Sequence, residues 1–219
     1  MSALVFNAHP QATRHDGLCH LFTQAGGQVV LVRPPGAPPH PKQENQVPGL
    51  MSVRVHDASD AQAVAQAFDH LGAPPNLVLF DGGITPRRPL LDWTTEAAEA
   101  TWRRECLGAL VVSQEALARM LPAGRGTVLF IGQTEDANLR APFSVGQAHK
   151  AGTRAVAQSM ARAFGPKNIH VAHLSLDGEP PDHALAALGE ACWQLHLQHR
   201  TAWTQELDFR CHDAQGESP

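Results

Sequence analysis

The chain has 219 residues, 43% of them hydrophobic and 17% charged, with a net charge of -4; this suits one soluble globular domain with a sizeable core and excludes the compositions of disordered and fibrous chains. Lys and Arg are scattered rather than striped, so no basic field gathers phosphate backbones, and nucleic acid is not an expected partner. The opening MSALVFNAHPQ has an apolar run far shorter than a signal-peptide core or a membrane span, which predicts a cytoplasmic protein with no membrane partner.

The first strand-like runs are ALVFN at 3–7 and QVVLVR at 28–33. Proline and polar residues then crowd RPPGAPPHPKQENQVPG at 33–49, predicting an irregular, surface-hugging connection where a helix would be usual. A third run, MSVRVH at 51–56, leads to DAQAVAQAFDHL at 60–71. There Ala61, Val64, Ala65, Phe68 and Leu71 recur at three- and four-residue steps, the stripe of a covering helix with Ser59 as its cap. NLVLF at 76–80 is the fourth run, and a longer helical pattern from Glu96 to Leu121 stops at Pro122 and Gly124.

After a fifth run, GTVLFIG at 126–132, a helix over 146–164 places Val156, Met160 and Phe164 on one stripe. Ala148, Ala151, Ala155 and Ser159 form the neighbouring stripe, small enough to admit a second helix closely. IHVAHLSL at 169–176 is the sixth run; DGEPPDH passes at once into the helix ALAALGEACWQLHLQ. The closing TAWTQELDFR reads as a last strand, alternating Ala202, Thr204 and Glu206 against Trp203, Gln205 and Leu207. Strands alternating with helices predict a single α/β domain over 1–212 whose parallel sheet is covered on both faces, with 213–219 as a flexible tail.

Cys19, Cys106, Cys192 and Cys211 lie far apart without a C-x-x-C pair and are expected as reduced, packed thiols. Thirteen histidines invite a metal hypothesis. No two stand at i,i+4 with a nearby carboxylate; His170 and His173 fall on opposite faces of a strand, and His196 and His199 on a polar helix end, so no metal ligands are assigned.

From Val53 to Gly178 the order and spacing of motifs resemble the short-chain dehydrogenase/reductase family. An Asp follows the third strand, a glycine turn the fourth, L-G-A lies in the long helix, and a lysine-bearing helix precedes IHVAHLSLDG; AWTQELDFR resembles one branch of the family. The resemblance implies a Rossmann-like doubly wound parallel sheet of about seven strands in the order 3-2-1-4-5-6-7, with cofactor bound at the carboxyl ends of the strands.

The family's general acid or base is the tyrosine of a Tyr-x-x-x-Lys pair, one helical turn from the lysine that lowers its pKa. In G-Q-A-H-K the lysine corresponds to Lys150 and the tyrosine to Gly146, and the chain contains no tyrosine at all. The substrate-holding serine falls on Gln133, with Thr134 the nearest hydroxyl; the family's asparagine corresponds to Glu105, and its asparagine-alanine-glycine turn to Asp81, Gly82 and Gly83. The cofactor glycines after the first strand correspond to Ala8, Thr13 and His15, where side chains take phosphate space, and Pro10 removes a donor. The substrate lid is shortened to Asp177, Gly178 and Glu179-Pro180-Pro181.

No catalytic residue is therefore assigned. The candidate cofactor-binding residues that the resemblance implies are Arg33, in the place of a 2′-phosphate contact, Asp57, in the place of an adenine contact, Gly83 and Lys150. Arg33 has the alternative of a solvated strand end, Asp57 that of a helix cap, and Lys150 that of a lysine held by solvent or by Glu105. No cofactor is expected, NADP being the one such a site would take.

Three functions follow from these residues. The leading one is a degenerate family member, not catalytic by the family mechanism, serving as an oligomeric structural, regulatory or binding subunit. It would self-associate through the helices near 96–121 and 146–164, as the resemblance implies, or pair with an active relative. The alternative is an NADP-dependent oxidoreductase on a carbonyl or alcohol, using His149, Glu105 or a water held by Lys150 in the proton relay, although helix geometry turns His149 about 100° from Lys150. The third is a sensor accepting a small anion near Arg14, His15 and Lys150.

Overall fold

The computed structural model describes residues 1–8, 14–37, 47–83, 88–133 and 145–211, without the side chains of Gln133, Val145 and Gln147. Seven strands form one sheet: β1 (Ser2–Asn7), β2 (Gln28–Arg33), β3 (Leu50–Arg54), β4 (Leu77–Asp81), β5 (Gly126–Gln133), β6 (Ile169–Leu176) and β7 (Glu206–Phe209). Their order is β3-β2-β1-β4-β5-β6-β7, and every pairing is parallel. β1, β4 and β6 are buried along their whole lengths, their polar residues included, as strands of a sheet covered on both faces should be.

Alternate side chains feed two cores. Leu4, Phe6, Val78 and Phe80 face α2 (Ala61–Asp69), α4 (Gly108–Ala123) and α5 (Val145–Phe164). Ala3, Val5, Leu77 and Leu79 face α1 (Asp16–Gln24) and α6 (Leu185–Leu197). α1 and α6 meet backbone to backbone: a Cβ added at Gly189 would stand 2.6 Å from Leu18 N. Glycine at this crossing is a packing requirement. All four cysteines are buried free thiols, and burial pushes Cys19 and Cys192 up to about 12.

Four expectations need correction. The cap of α2 is Asp60 rather than Ser59: its Oδ1 accepts from Gln62 N and Ala63 N at 2.9 and 3.2 Å, and the helix begins at Ala61, the first residue of the apolar stripe. The helix expected over 96–121 is three pieces, α3 (Thr95–Trp102), a π-helical turn (Arg103–Leu107) and α4. Pro122 lies inside the last turn of α4, and Gly124, at φ 64°, closes it. β7 is only the four residues Glu206–Phe209, because Arg200–Ala202 forms a short 3₁₀ turn whose Trp203 ring stacks on His170 at 4.9 Å.

Pro10, Thr13, Thr134, the middle of the proline-rich connection and the tail at 213–219 lie outside the described residues. Among the described residues no helix is long and apolar enough to cross a membrane, and no three His, Cys, Asp or Glu side chains gather as a metal set.

Candidate functional site

The carboxyl ends of β1, β2, β4 and β5 open into a crevice whose centre is Asp81, the last residue of β4. Its Oδ2 lies 2.9 Å from Arg14 Nε in an ion pair and accepts a 2.9 Å hydrogen bond from His15 Nε2. Its Oδ1 accepts from Gly83 N at 2.9 Å, and Gly83 turns there with φ 85°. Arg14 Nη1 reaches Glu179 Oε1 at 2.6 Å, so the short segment after β6 is tied down on the same guanidinium. Arg14, His15 and Asp81 are each about 2% exposed. Burial by itself raises the Asp81 carboxyl, but the Arg14 charge, the His15 bond and the Gly83 N–H outweigh it and hold the group well below the usual carboxylate range.

Arg14 and His15 were expected as cations open to an anion. The structure directs both toward Asp81, because a carboxylate at the end of a central strand is inside the protein and must find its counter-charge there. His15 is the residue before α1, at the helix end that the resemblance gives to dinucleotide phosphates. Glu179 adds a second carboxylate beside it.

On the far side of Asp81, Gly82, Gly83, Glu105, Gly132, Lys150 and Thr153 surround a cavity of about 20 Å³. This holds about one water molecule. The π turn is what brings Glu105 here: its extra residue per turn rolls Glu105 inward to 5% exposure. A Cβ on Gly82 would meet Glu105 Cα at 3.2 Å, so the β4 turn and the π turn are in close contact. Glu105 Oε1 accepts from Arg104 Nη2 at 2.8 Å. Lys150 is half-buried on the wall of this cavity, and Gly146, one turn earlier on α5, is buried. His149 is 4% exposed and packs edge-on to Trp102 at 5.7 Å; burial and the Arg104 charge push its pKa down despite Glu105.

On the near side lies a larger cavity of about 320 Å³, bounded by β1, β2, the residues after β3, and α3. Arg33 and Asp57 both line it. Arg33 is only 1% exposed, which corrects the alternative of a solvated strand end. Asp57 is not the cap of α2 either, for its Oδ1 accepts from Ser59 N at 2.8 Å and closes a local turn. Arg103 and Arg104 also line it, each engaged by a carboxylate of its own: Arg103 Nε by Glu99 Oε1 at 3.1 Å and Arg104 Nη2 by Glu105 Oε1 at 2.8 Å.

The four candidate cofactor residues thus come to one crevice in two pairs, Arg33 with Asp57 and Gly83 with Lys150, joined at Phe80 and Asp81. Sequence reasoning missed the Arg14–Asp81–Glu179 cluster and the contribution of Arg103 and Arg104. One signal was available: an aspartate closing an otherwise apolar strand needs a buried cation.

Fold and crevice together define a Rossmann-like α/β protein of the oxidoreductase type, its site at the carboxyl edge of the sheet. The family model described as Enoyl-(Acyl carrier protein) reductase matches residues 16–176. A short-chain dehydrogenase from Rhodopseudomonas palustris is 30% identical, with 96% of this chain and 99% of that one covered at a TM-score of 0.78. The chain belongs to the short-chain dehydrogenase/reductase family. A metagenomic short-chain oxidoreductase solved in complex with NADP is 16% identical over 97% of each chain at a TM-score of 0.76. An oxidoreductase of the same family from Brucella ovis is 16% identical at 0.71, covering 96% of this chain and 99% of that one; these two likenesses are of fold. A search of curated proteins gives no match.

Proposed function

We propose that this short-chain dehydrogenase/reductase is a degenerate member that does not run the family's proton relay and serves as an oligomeric binding or regulatory subunit. The observation that carries this reading is the Arg14–Asp81–Glu179 cluster, which sets two carboxylates at the helix end where a dinucleotide needs N–H groups and positive charge. The proton relay is depleted as well. With Gly146 in the place of tyrosine and no tyrosine in the chain, Lys150 has no phenol to act on. His149 is a poor substitute, for it is packed against Trp102 and its charged form is disfavoured.

The fit of NADP is correspondingly split. Arg33, Asp57 and the larger cavity suit the adenosine end, whereas the Asp81 and Glu179 carboxylates on Arg14 do not suit the pyrophosphate. No step of a hydride transfer is therefore assigned to these residues. The bound NADP of the metagenomic relative favours the second reading, an NADP-dependent oxidoreductase with an unorthodox acid.

Self-association is supported by the outer face of α3, α4 and α5. Trp102 and Leu110 are 43% and 40% exposed, beside the exposed small residues Ala148, Ala151, Ala155 and Ser159. A second copy, presenting the same face, would bury this apolar strip about a two-fold axis.

NADPH oxidation is to be followed with a panel of aldehydes and ketones, and subunit mass by sedimentation at micromolar concentration. The expected result is no turnover and a dimer or tetramer. Substrate-dependent NADPH oxidation overturns the non-catalytic reading in favour of the oxidoreductase, and a monomer with no co-purifying relative overturns the subunit role.

A further inference from the structure

Scattered along the sequence, Arg125, Arg162, Lys167 and Arg200 meet at one edge of the fold, and the cause is topological. Strands of a parallel sheet all start at the same edge, so the segments leading into β5, β6 and β7 are neighbours there. Gly126 opposes Ile169 where β5 and β6 begin to pair. Asn168 Nδ2 donates to Gly124 O at 2.7 Å, and Arg200 Nη2 donates to Pro166 O at 3.1 Å. These bonds set the turns that carry Arg125, Lys167 and Arg200 side by side. Arg162 stands on the last turn of α5, which runs into the Lys167 turn.

From this cluster we infer that the edge of the sheet opposite the crevice binds a short acidic segment of a partner protein, one that carries an apolar residue among its carboxylates. The inference goes beyond the reading of the crevice and does not rest on it.

All four cations are exposed, and none is in an ion pair with a described residue. Lys167 Nζ lies 5.1 Å over the Phe164 ring and Arg200 meets a carbonyl, contacts that leave both charges unanswered. The carboxylates of the flanking elements are taken: Glu206 by Arg154 and Gln158, Glu115 and Asp69 by Arg119. Like charges gathered without counter-ions repel, and carboxylates arriving from outside relieve that repulsion. Guanidiniums in addition match a carboxylate with two parallel hydrogen bonds.

The apolar element of the surface is Leu197, 54% exposed at the end of α6. It belongs to the same edge, because the adjacent His196 Nδ1 lies 3.0 Å from Thr127 Oγ1 at the start of β5. The length of the partner follows from the rest of the surface. The chain's net charge is -4 although these cations concentrate here, so an extended polyanion or an anionic membrane meets repulsion elsewhere on the molecule. A short segment feels mainly the charges within a Debye length, about 8 Å.

The test is fluorescence anisotropy of the full chain with a fluorescein-labelled peptide of glutamates around a single leucine. Binding should saturate below about 0.5 mM at low ionic strength and weaken about fivefold or more between roughly 20 and 200 mM salt. Arg125→Glu and Lys167→Glu, both at exposed positions, should each weaken it about fivefold and together about twentyfold, with an unchanged circular dichroism spectrum. Arg88→Glu, the same charge change at an exposed position beyond the carboxyl end of β4, should alter it by less than about twofold. Replacing the peptide's leucine with serine should weaken binding about threefold.

No saturation at millimolar peptide overturns the inference, and so does an Arg88→Glu variant that loses as much as Arg125→Glu, since attraction would then be general rather than local. Equal binding of the serine peptide overturns its apolar part. Sedimentation of the protein with phosphatidylserine vesicles, lost in Arg125→Glu and Lys167→Glu while the peptide fails to bind, assigns the edge to a lipid surface instead.

Discussion

Replacing Asp81 with asparagine would remove one charge from the centre of the crevice and leave its volume almost unchanged. Asp81 binds Arg14, His15 and Gly83 N at once, and these partners hold its carboxyl far below its ordinary 3.8 although burial opposes them. A carboxyl depressed in the folded state contributes stability that is complete above its unfolded value and is lost as pH falls through the folded one. At pH 7 all of it is present. In the variant, Arg14 remains at 2% side-chain exposure, with its charge answered by Glu179, a carboxylate 41% exposed. Breaking a buried ion pair from one side costs roughly 3–5 kcal/mol. For a domain of this size that lowers Tm by about 10 °C. Thermal and urea unfolding followed by tryptophan fluorescence at pH 7 measure the loss. The double variant Arg14→Met, Asp81→Leu, which removes both charges, should recover much of it. A loss for Asp81→Asn under about 1 kcal/mol, the worth of a solvent-exposed pair, would refute the buried cluster as the keystone of the crevice.

Three further outcomes follow from the packing. Burial pushes His173 from 6.5 down to about 4, so its neutral form belongs to the folded state. The His173 share of stability should then fall by about 3 kcal/mol as pH drops from 6.5 to 4, beside a similar share from His196, which burial also holds down at about 4, and His173→Leu should lessen the slope by about half; equal slopes in urea titrations across this range would contradict it. Leu110→Glu and Ala155→Glu place charge on the exposed strip of α4 and α5 and should abolish the proposed self-association, giving a monomer in sedimentation with an unchanged circular dichroism spectrum; a mass unaltered from that of the wild type counts against this strip as the interface. Gly189→Ala sets a Cβ 2.6 Å from Leu18 N and should cost about 1–3 kcal/mol as α1 and α6 separate. A neutral effect on urea midpoint would mean that the helices have room.

Strand positions were legible because the central strands are buried on both faces, so LVLF of β4 and VVLV of β2 stand out as apolar runs, while β6 is marked by Ile169, Val171, Ala172, Leu174 and Leu176 among its buried His and Ser residues. The cap of α2 and the extent of β7 were not, since Ser59, Asp60 and the alternating TAWTQELDFR admit more than one local arrangement. The π turn at Arg103–Leu107 has no periodic signature of its own within an otherwise regular helical pattern. It nevertheless decides that Glu105 points into the crevice.

The sequence by itself determined the sheet, its helices and the absence of any tyrosine, because apolar periodicity and residue identity are local properties of the chain. It also brought Arg33, Asp57, Gly83 and Lys150 forward as residues of one crevice. Only the tertiary structure decided what the charges there do. Arg14, Asp81 and Glu179 are separated by 67 and 98 positions in the chain and become neighbours when β4, α1 and the turn after β6 converge. An ion pair depends on distance and burial, and neither is written in the residues until the sheet has closed around them.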